Sequence, residues 1–283
     1  MLTPKNYLPT TPPVVIGGLG GSGTRLIAEC LKHLGFAMGQ DLNHANDNLL
    51  FTLLFKRKEA LSLSQSELDT LLIIFLKGMN GGDNFTKFEL DILNDISSMD
   101  RPQHPARWLK ERVRLLLSQP KDRPNTKYWG WKEPNSHIFL DYLCKSIPDM
   151  KYIHVCRNGL DMAYSTNQNQ LKLWGEIILG EPIKETPCYS LKYWCESHKK
   201  VLTSSKNLGS NFTLLNYDKF CNNPEEGIEN LSRFLEIDTT NQRADIKKLI
   251  QPPESIGRHK NYGIGSFDKN DIDYVRKLGF DSI

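Results

Sequence analysis

The sequence predicts an α/β fold: a mostly parallel sheet flanked by helices. The first observation is that short β-branched and aromatic runs alternate with segments of helical period from Val14 to Leu235. Strands separated by helices need crossover connections, which make neighbouring strands parallel and bury both sheet faces. The second is the run Val14 to Ile16, which ends in a glycine-rich turn opening directly into a helix. The third is length. With 283 residues the chain can bury a full core, and 1–283 reads as a single domain with a helical insertion at about 60–125.

The strand–loop–helix unit is VVIGGLGGSGTRLIAECLKHLGF, Val14 to Phe36. Apolar residues recur at Leu26, Ile27, Cys30, Leu31 and Leu34, the spacing of one helix face. The loop glycines permit positive φ and close approach to a ligand, and the loop ends at a helix N-terminus, where free N–H groups favour an anion. Ser22, Thr24 and Arg25 add hydroxyls and a cation, so a phosphate or similar oxyanion is expected on Gly20, Gly21, Ser22, Gly23, Thr24 and Arg25. Known loop patterns compete for this stretch. Gly18, Gly20 and Gly23 satisfy the G-x-G-x-x-G dinucleotide pattern, and Asp41 lies at roughly the distance of its acidic partner, but FAMGQD before it is a poor strand. Gly18 to Gly23 fit the P-loop spacing, but Thr24 stands where the lysine belongs. Gly21-Ser22-Gly23-Thr24 is similar to the 5′-phosphosulfate loop of sulfotransferases, with Gly21 replacing a basic residue.

Beyond Phe36, residues Gly39 to Lys58 begin polar and become amphipathic. Residues 62–119 read as helical: Ser66 precedes ELDTLLIIFLKGM, Gly81-Gly82 end it, and ARWLKERVRLLLSQ runs up to Pro120. The run LLIIFL is short enough to be a buried helix face. YWGWKEP (Tyr128 to Pro134) reads as a strand entering a loop, and helix SHIFLDYLCKSI follows, capped by Asn135 or Ser136. Then come strand KYIHVCR (Lys151 to Arg157), helix LDMAYSTNQ, a long helix from about Tyr189 to Leu208, strand NFTLLNY and helix PEEGIENLSRFLEI. Ligands on such sheets sit at the carboxyl ends of strands, and Gly18 to Arg25, Lys132 and Arg157 all fall there.

A formal net charge of +3 gives no argument for nucleic acid or an anionic membrane. No run approaches the ~20 apolar residues of a membrane span. Cys30, Cys144, Cys156, Cys188, Cys195 and Cys221 show no C-x-x-C pair and no zinc spacing. Free thiols in a reducing cytosol, and hence a cytoplasmic protein, are the expectation, and no metal is expected. The sequons at Asn84 and Asn211 then carry no weight.

The segment IHVCRNGLDMAYS resembles the 3′-phosphate-binding motif of sulfotransferases, a strand followed by Arg-Asn/Asp-Pro-x-Asp-x-x-x-Ser. Arg157, Asn158, Asp161 and Ser165 match, and Gly159 replaces the proline. Arginine suits the role because its guanidinium forks two donors onto a phosphate. LLNYDKFCNNPEEGIENLSRFLEI is similar to a further family stretch, with Tyr217, Asp218, Pro224, Phe234 and Leu235 in place. SIGRHKNYG resembles the basic loop that closes over the nucleotide, with Arg258 and Lys260 as candidates. The resemblance implies a P-loop-like sulfotransferase architecture that uses 3′-phosphoadenosine 5′-phosphosulfate. A sulfuryl group would pass to a hydroxyl or amine acceptor such as a carbohydrate or small metabolite, leaving adenosine 3′,5′-bisphosphate.

Trp-Lys-Glu-Pro resembles a family element whose lysine approaches the sulfuryl group, making Lys132 the candidate for the cation that Gly21 does not supply. Arg25 is the other. Related families place a carboxylate base after the first helix, and the candidates rank Asp47, Asp41, Glu133 and then His44. Asp47 also reads as an acid at a helix start. The insertion could serve as a lid or acceptor-specificity element. The alternatives are a P-loop kinase-like phosphotransferase, a non-catalytic nucleotide-binding protein of the same fold and, lowest, a dinucleotide-dependent oxidoreductase.

Overall fold

The computed structural model describes residues 3–81, 84–119 and 127–280. Among them a five-stranded parallel sheet has the order β2-β3-β1-β4-β5, with β1 Val14–Gly18, β2 Phe36–Ala37, β3 Tyr128–Lys132, β4 Lys151–Cys156 and β5 Phe212–Asn216. Helix α1 (Thr24–His33) follows β1. Helices α2 (Leu49–Phe55), α3 (Gln65–Met79), α4 (Lys87–Ser98) and α5 (Ala106–Leu117) lie between β2 and β3, and α6 (Leu140–Ser146) leads into β4. Helices α7 (Gly159–Ala163), α8 (Asn169–Leu179) and α9 (Pro187–Ser204) separate β4 from β5. After β5 come α10 (Tyr217–Asn222), α11 (Pro224–Leu235), α12 (Arg243–Leu249) and α13 (Lys269–Lys277).

β1 is central and wholly buried, and its side chains alternate as a strand dictates. Val14 and Ile16 join Ile153 and Val155 of β4 beneath residues of α1, α10, α11 and α12. Val15 faces the opposite layer with Trp129, Trp131 and Tyr152, where α2 to α6 pack. A further cluster gathers Leu160, Trp174 and Trp194 of α7, α8 and α9 with Val275 of α13. The α/β architecture read from the alternation is therefore the architecture found.

Element boundaries differ in instructive ways. Asn48 caps α2 by accepting from Phe51 N (3.0 Å), so Asp47 lies outside the helix it was expected to start. Ser64, not Ser66, caps α3, because only Ser64 is spaced to form a capping box with Glu67. Glu133 replaces Asn135 and Ser136 as the cap after β3. Its carboxylate takes the Asn135 N–H at the start of a 3₁₀ turn, Pro134–Phe139, so α6 begins only at Leu140. LDMAYSTNQ is helical only to Ala163, because the Gln168 side chain donates to the carbonyls of Ser165 (2.7 Å) and Met162 (3.4 Å) and turns the chain. Even FAMGQD contributes a strand, the two-residue β2 paired at Phe36 with Tyr128. Gly82 and Pro120 lie outside the described residues.

Three histidines are buried together, His154 on β4 with His137 and His198 beside it, ring centroids 6.0 and 5.0 Å from that of His154. Nδ1 of His137 and of His198 meets the backbone carbonyls of Pro134 (2.8 Å) and Trp194 (2.7 Å). Burial holds all of them neutral, pushing His137 down to about 4 and His198 to about 3, with His154 also well below the usual histidine range. A lowered folded pKa gives stability that is whole above about 6.5 and is lost as pH falls, by about 1.4 kcal/mol per unit for each group. Glu133, raised by burial, works in the opposite sense. The three histidines outnumber it, so the thermal midpoint should drop by several degrees between pH 7 and pH 5. A flat profile in scanning calorimetry would contradict the buried neutral cluster.

Candidate active site at the carboxyl edge of the sheet

β1 ends in a loop that only glycines allow. A Cβ on Gly17 would stand 1.9 Å from the Tyr152 hydroxyl, and one on Gly23 would stand 2.1 Å from the Tyr217 ring. Gly21 (φ +92°) and Gly23 (φ +96°) have left-handed backbones. The turn is closed by Ser22 N–H donating to Leu19 O (3.0 Å). The N–H groups of Gly21, Gly23, Thr24 and Arg25 find no acceptor among the described residues, and the buried Ser22 hydroxyl has no partner. A loop with several amides free at a helix N-terminus, and an orphan hydroxyl beside them, is built to receive an oxyanion. Thr24 is buried and Arg25 exposed on α1, without an ion pair among the described residues.

Arg157 follows β4, the strand on one side of β1. It donates from Nη1 to Gly21 O (3.4 Å) and from Nη2 to Ser255 Oγ (2.8 Å), and its guanidinium carbon lies 5.7 Å from the Tyr217 ring centre. Its nearest carboxylate is Asp218, with Nε 3.8 Å from Oδ1. Burial raises the Asp218 carboxyl, opposed by the Asn158 N–H (2.9 Å) and by Arg157. Asp161 is committed elsewhere: it accepts from the N–H groups of Gly257 (2.8 Å) and His259 (3.0 Å), with His259 Nδ1 2.7 Å away. Asp161 thereby lashes the segment bearing Arg258 and Lys260 to α7. Arg258 donates to Tyr164 O (3.2 Å), and Lys260 is exposed. Ser165 comes to the same place, its hydroxyl 3.9 Å from where a Gly21 Cβ would be. Gly159 is explained by Trp194, whose ring would lie 2.8–3.0 Å from any Cβ there and whose Nε1 donates to Arg157 O (3.1 Å).

On the other side of β1, β3 delivers Lys132, in register with Ile16 and almost completely buried. Its ammonium donates to Ala45 O (3.0 Å) and contacts Asp47 Oδ1 very closely. Asp47 Oδ2 accepts from Asn43 Nδ2 (2.9 Å). The other carboxylates are engaged. Asp41 holds Arg112 of α5 (2.7 Å), and burial raises its carboxyl against the pull of that arginine. Glu133 is fully buried, accepting from Asn135 Nδ2 (2.9 Å) and Thr52 Oγ1 (3.4 Å), with Lys56 Nζ 3.8 Å away. Burial raises it as well. His44 is exposed. The structure thus brings together the loop, Arg157 and Ser165, and pairs Lys132 with Asp47 one strand away. Asp41 and Glu133 sit in pairs of their own. Ser255 and His259 are partners that reasoning from sequence did not pick out, because both act through contacts with residues some 100 positions away. Among the described residues no group of three or more His, Cys, Asp or Glu side chains is placed to hold a metal ion, and no helix is long and apolar enough to cross a membrane.

Among curated proteins none matches the chain. Its fold is similar to that of the sulfotransferase domain from the Synechococcus PCC 7002 olefin synthase, at 14% identity and a TM-score of 0.52, covering 96% of this chain and 98% of that one. It is equally similar to the sulfotransferase domain from the curacin biosynthetic pathway, at 13% identity and a TM-score of 0.51, covering 95% and 98%. The sulfotransferase family model matches residues 12–241, which include the glycine loop, Lys132, Arg157 and Ser165, and the chain therefore belongs to the sulfotransferase family.

Proposed function

We propose that the protein moves a sulfuryl group from 3′-phosphoadenosine 5′-phosphosulfate to a hydroxyl or amine acceptor. The observation that carries this reading is the set of unpartnered amides at Gly21, Gly23, Thr24 and Arg25, bordered by Arg157. When bound, the donor supplies an activated S–O bond whose cleavage leaves charge on the 5′-phosphate. The loop amides, with Ser22 and Thr24, hold the phosphosulfate. Arg157, Ser165, Arg258 and Lys260 serve the 3′-phosphate. Lys132 is the cation beside the leaving group, a fixed charge in a nearly water-free position. Asp47 takes the acceptor's proton, favoured over Asp41 and Glu133 because both of those are tied into other pairs. The remaining requirement is to hold donor and acceptor in line. Helices α3–α5 are the acceptor-selecting element for a small-molecule or carbohydrate acceptor, joined to the Asp41–Asp47 segment through Arg112.

Thermal unfolding with adenosine 3′,5′-bisphosphate, ATP with Mg²⁺, and NADH in parallel tests the donor. At 100 times its Kd the bisphosphate should add about 2.7 kcal/mol, a midpoint shift of about 5 °C, and Arg157→Ala should abolish the shift while retaining native circular dichroism. Protection by ATP and Mg²⁺ alone would replace this reading with a kinase-like one.

In donor turnover against a panel of sugar and phenolic acceptors, Lys132→Ala should lower kcat by about 10²–10³-fold. Asp47→Asn should do so by about 10²–10⁴-fold, with bisphosphate affinity changed little. Turnover within a few-fold of wild type in either variant would remove that residue from the chemistry.

A further inference from the structure

Helix α8 sends one side chain back to the anion-facing loop. Gln170 is 7% exposed; its Oε1 accepts from Gly20 N–H (3.2 Å) while its Nε2 donates to Gly18 O (3.4 Å). One planar amide therefore holds both ends of the Gly18–Gly20 segment. Gly18 is already held as the last residue of β1, in register with Val155, and Leu19 is buried; the amide adds the hold at Gly20. Glycines 18, 20, 21 and 23 bring no side chains, and glycine backbone loses the most conformational freedom on being ordered. Beside the amide the space lined by Leu19, Met162, Leu171 and Trp194 amounts to only about 20 Å³, room for roughly one water molecule.

We propose that Gln170 is a positioning residue for the anion-binding loop. By occupying the Gly20 N–H it takes that donor out of the anion's reach and fixes which amides remain, those of Gly21, Gly23, Thr24 and Arg25. By holding the Gly18 carbonyl it keeps that acceptor, repulsive to an anion, turned toward α8. The loop is thus shaped before a ligand arrives, and the ordering cost is not drawn from binding. The inference rests on the sulfotransferase reading for its ligand but not for its geometry.

The test uses the full chain with Gln170→Leu, which removes both hydrogen bonds at similar size, and Gln170→Glu, which keeps the acceptor for Gly20. Hydrogen exchange of the ligand-free proteins should show peptides covering Leu19–Thr24 exchanging about ten-fold faster in the Leu variant, with the Glu variant between it and wild type. Calorimetric titration with adenosine 3′,5′-bisphosphate should show Kd raised about ten-fold by Gln170→Leu and no less by Gln170→Glu, whose carboxylate also repels the anion. Unchanged loop exchange in the Leu variant overturns the inference whatever the ligand. So does a bisphosphate Kd within two-fold of wild type, or a lowered thermal midpoint with no change in Kd. If wild type fails to bind the bisphosphate, the donor reading fails, and the exchange experiment still decides the role of Gln170. Should the Leu variant not fold, the Glu variant is judged by loop exchange alone.

Discussion

The ring of Tyr217 packs against the α-carbon of Gly23, where a Cβ would stand 2.1 Å away. That contact sets how β5, the loop and α1 sit together. Tyr217 begins α10 directly after β5, so the ring holds the start of α1 toward the sheet edge and turns the loop amides outward. The same ring lies 5.7 Å from the Arg157 guanidinium, an attraction that holds it at the sheet edge while Nη1 and Nη2 donate to Gly21 O and Ser255 Oγ. Tyr152 makes the matching contact at Gly17 from within the opposite layer. Side chains at these glycines would displace an aromatic ring from a close-packed layer, a change of several kcal/mol rather than a local adjustment.

Departures from the family pattern follow from the same packing. Gly159 stands in place of a proline because Trp194 occupies the volume a ring would need, and the indole returns a hydrogen bond to Arg157 O. The backbone that presents Arg157 is fixed by α9 instead of by a proline φ. Asp161, one turn later, holds Gly257 and His259 rather than Arg157, so the C-terminal basic segment is anchored to the helix that follows the arginine. The C-terminal cations are therefore tied in through backbone hydrogen bonds to Asp161, while Arg157 keeps Asp218 as its nearest carboxylate.

Much of this was legible in the sequence because it is local. The β-branched run, the glycines and the helical period after Thr24 each speak about neighbours in the chain, and they are enough to give a strand, a loop and a helix in order. The Arg157…Ser165 spacing was legible as a motif, but not the turn at Gln168 that makes α7 stop at Ala163. What was hidden is tertiary. Asp47 looked like a helix-start acid because Asn48, the actual cap, is chemically as suitable and only the fold chooses between them. Glu133 read as a free carboxylate beside a lysine, yet Thr52 and Asn135 claim it in the core. No periodicity could have revealed Gln170, whose partners lie about 150 residues earlier.

The missing cation at Gly21 then has a physical explanation. With φ at +92°, a lysine or arginine there would carry roughly 1–2 kcal/mol of backbone strain in the loop that must be most regular. On the proposed reading the charge is supplied from β3 instead. Lys132 is buried and held by Ala45 O and Asp47. A cation fixed on a strand loses less side-chain freedom on meeting a ligand than one swinging from a glycine loop. On the same reading one ion pair joins two roles, for the proposed partner of the leaving phosphate is held by the proposed base. On that reading an acceptor's proton reaching Asp47 would remove the negative charge facing Lys132, leaving the fixed ammonium to act on the leaving group as charge develops there.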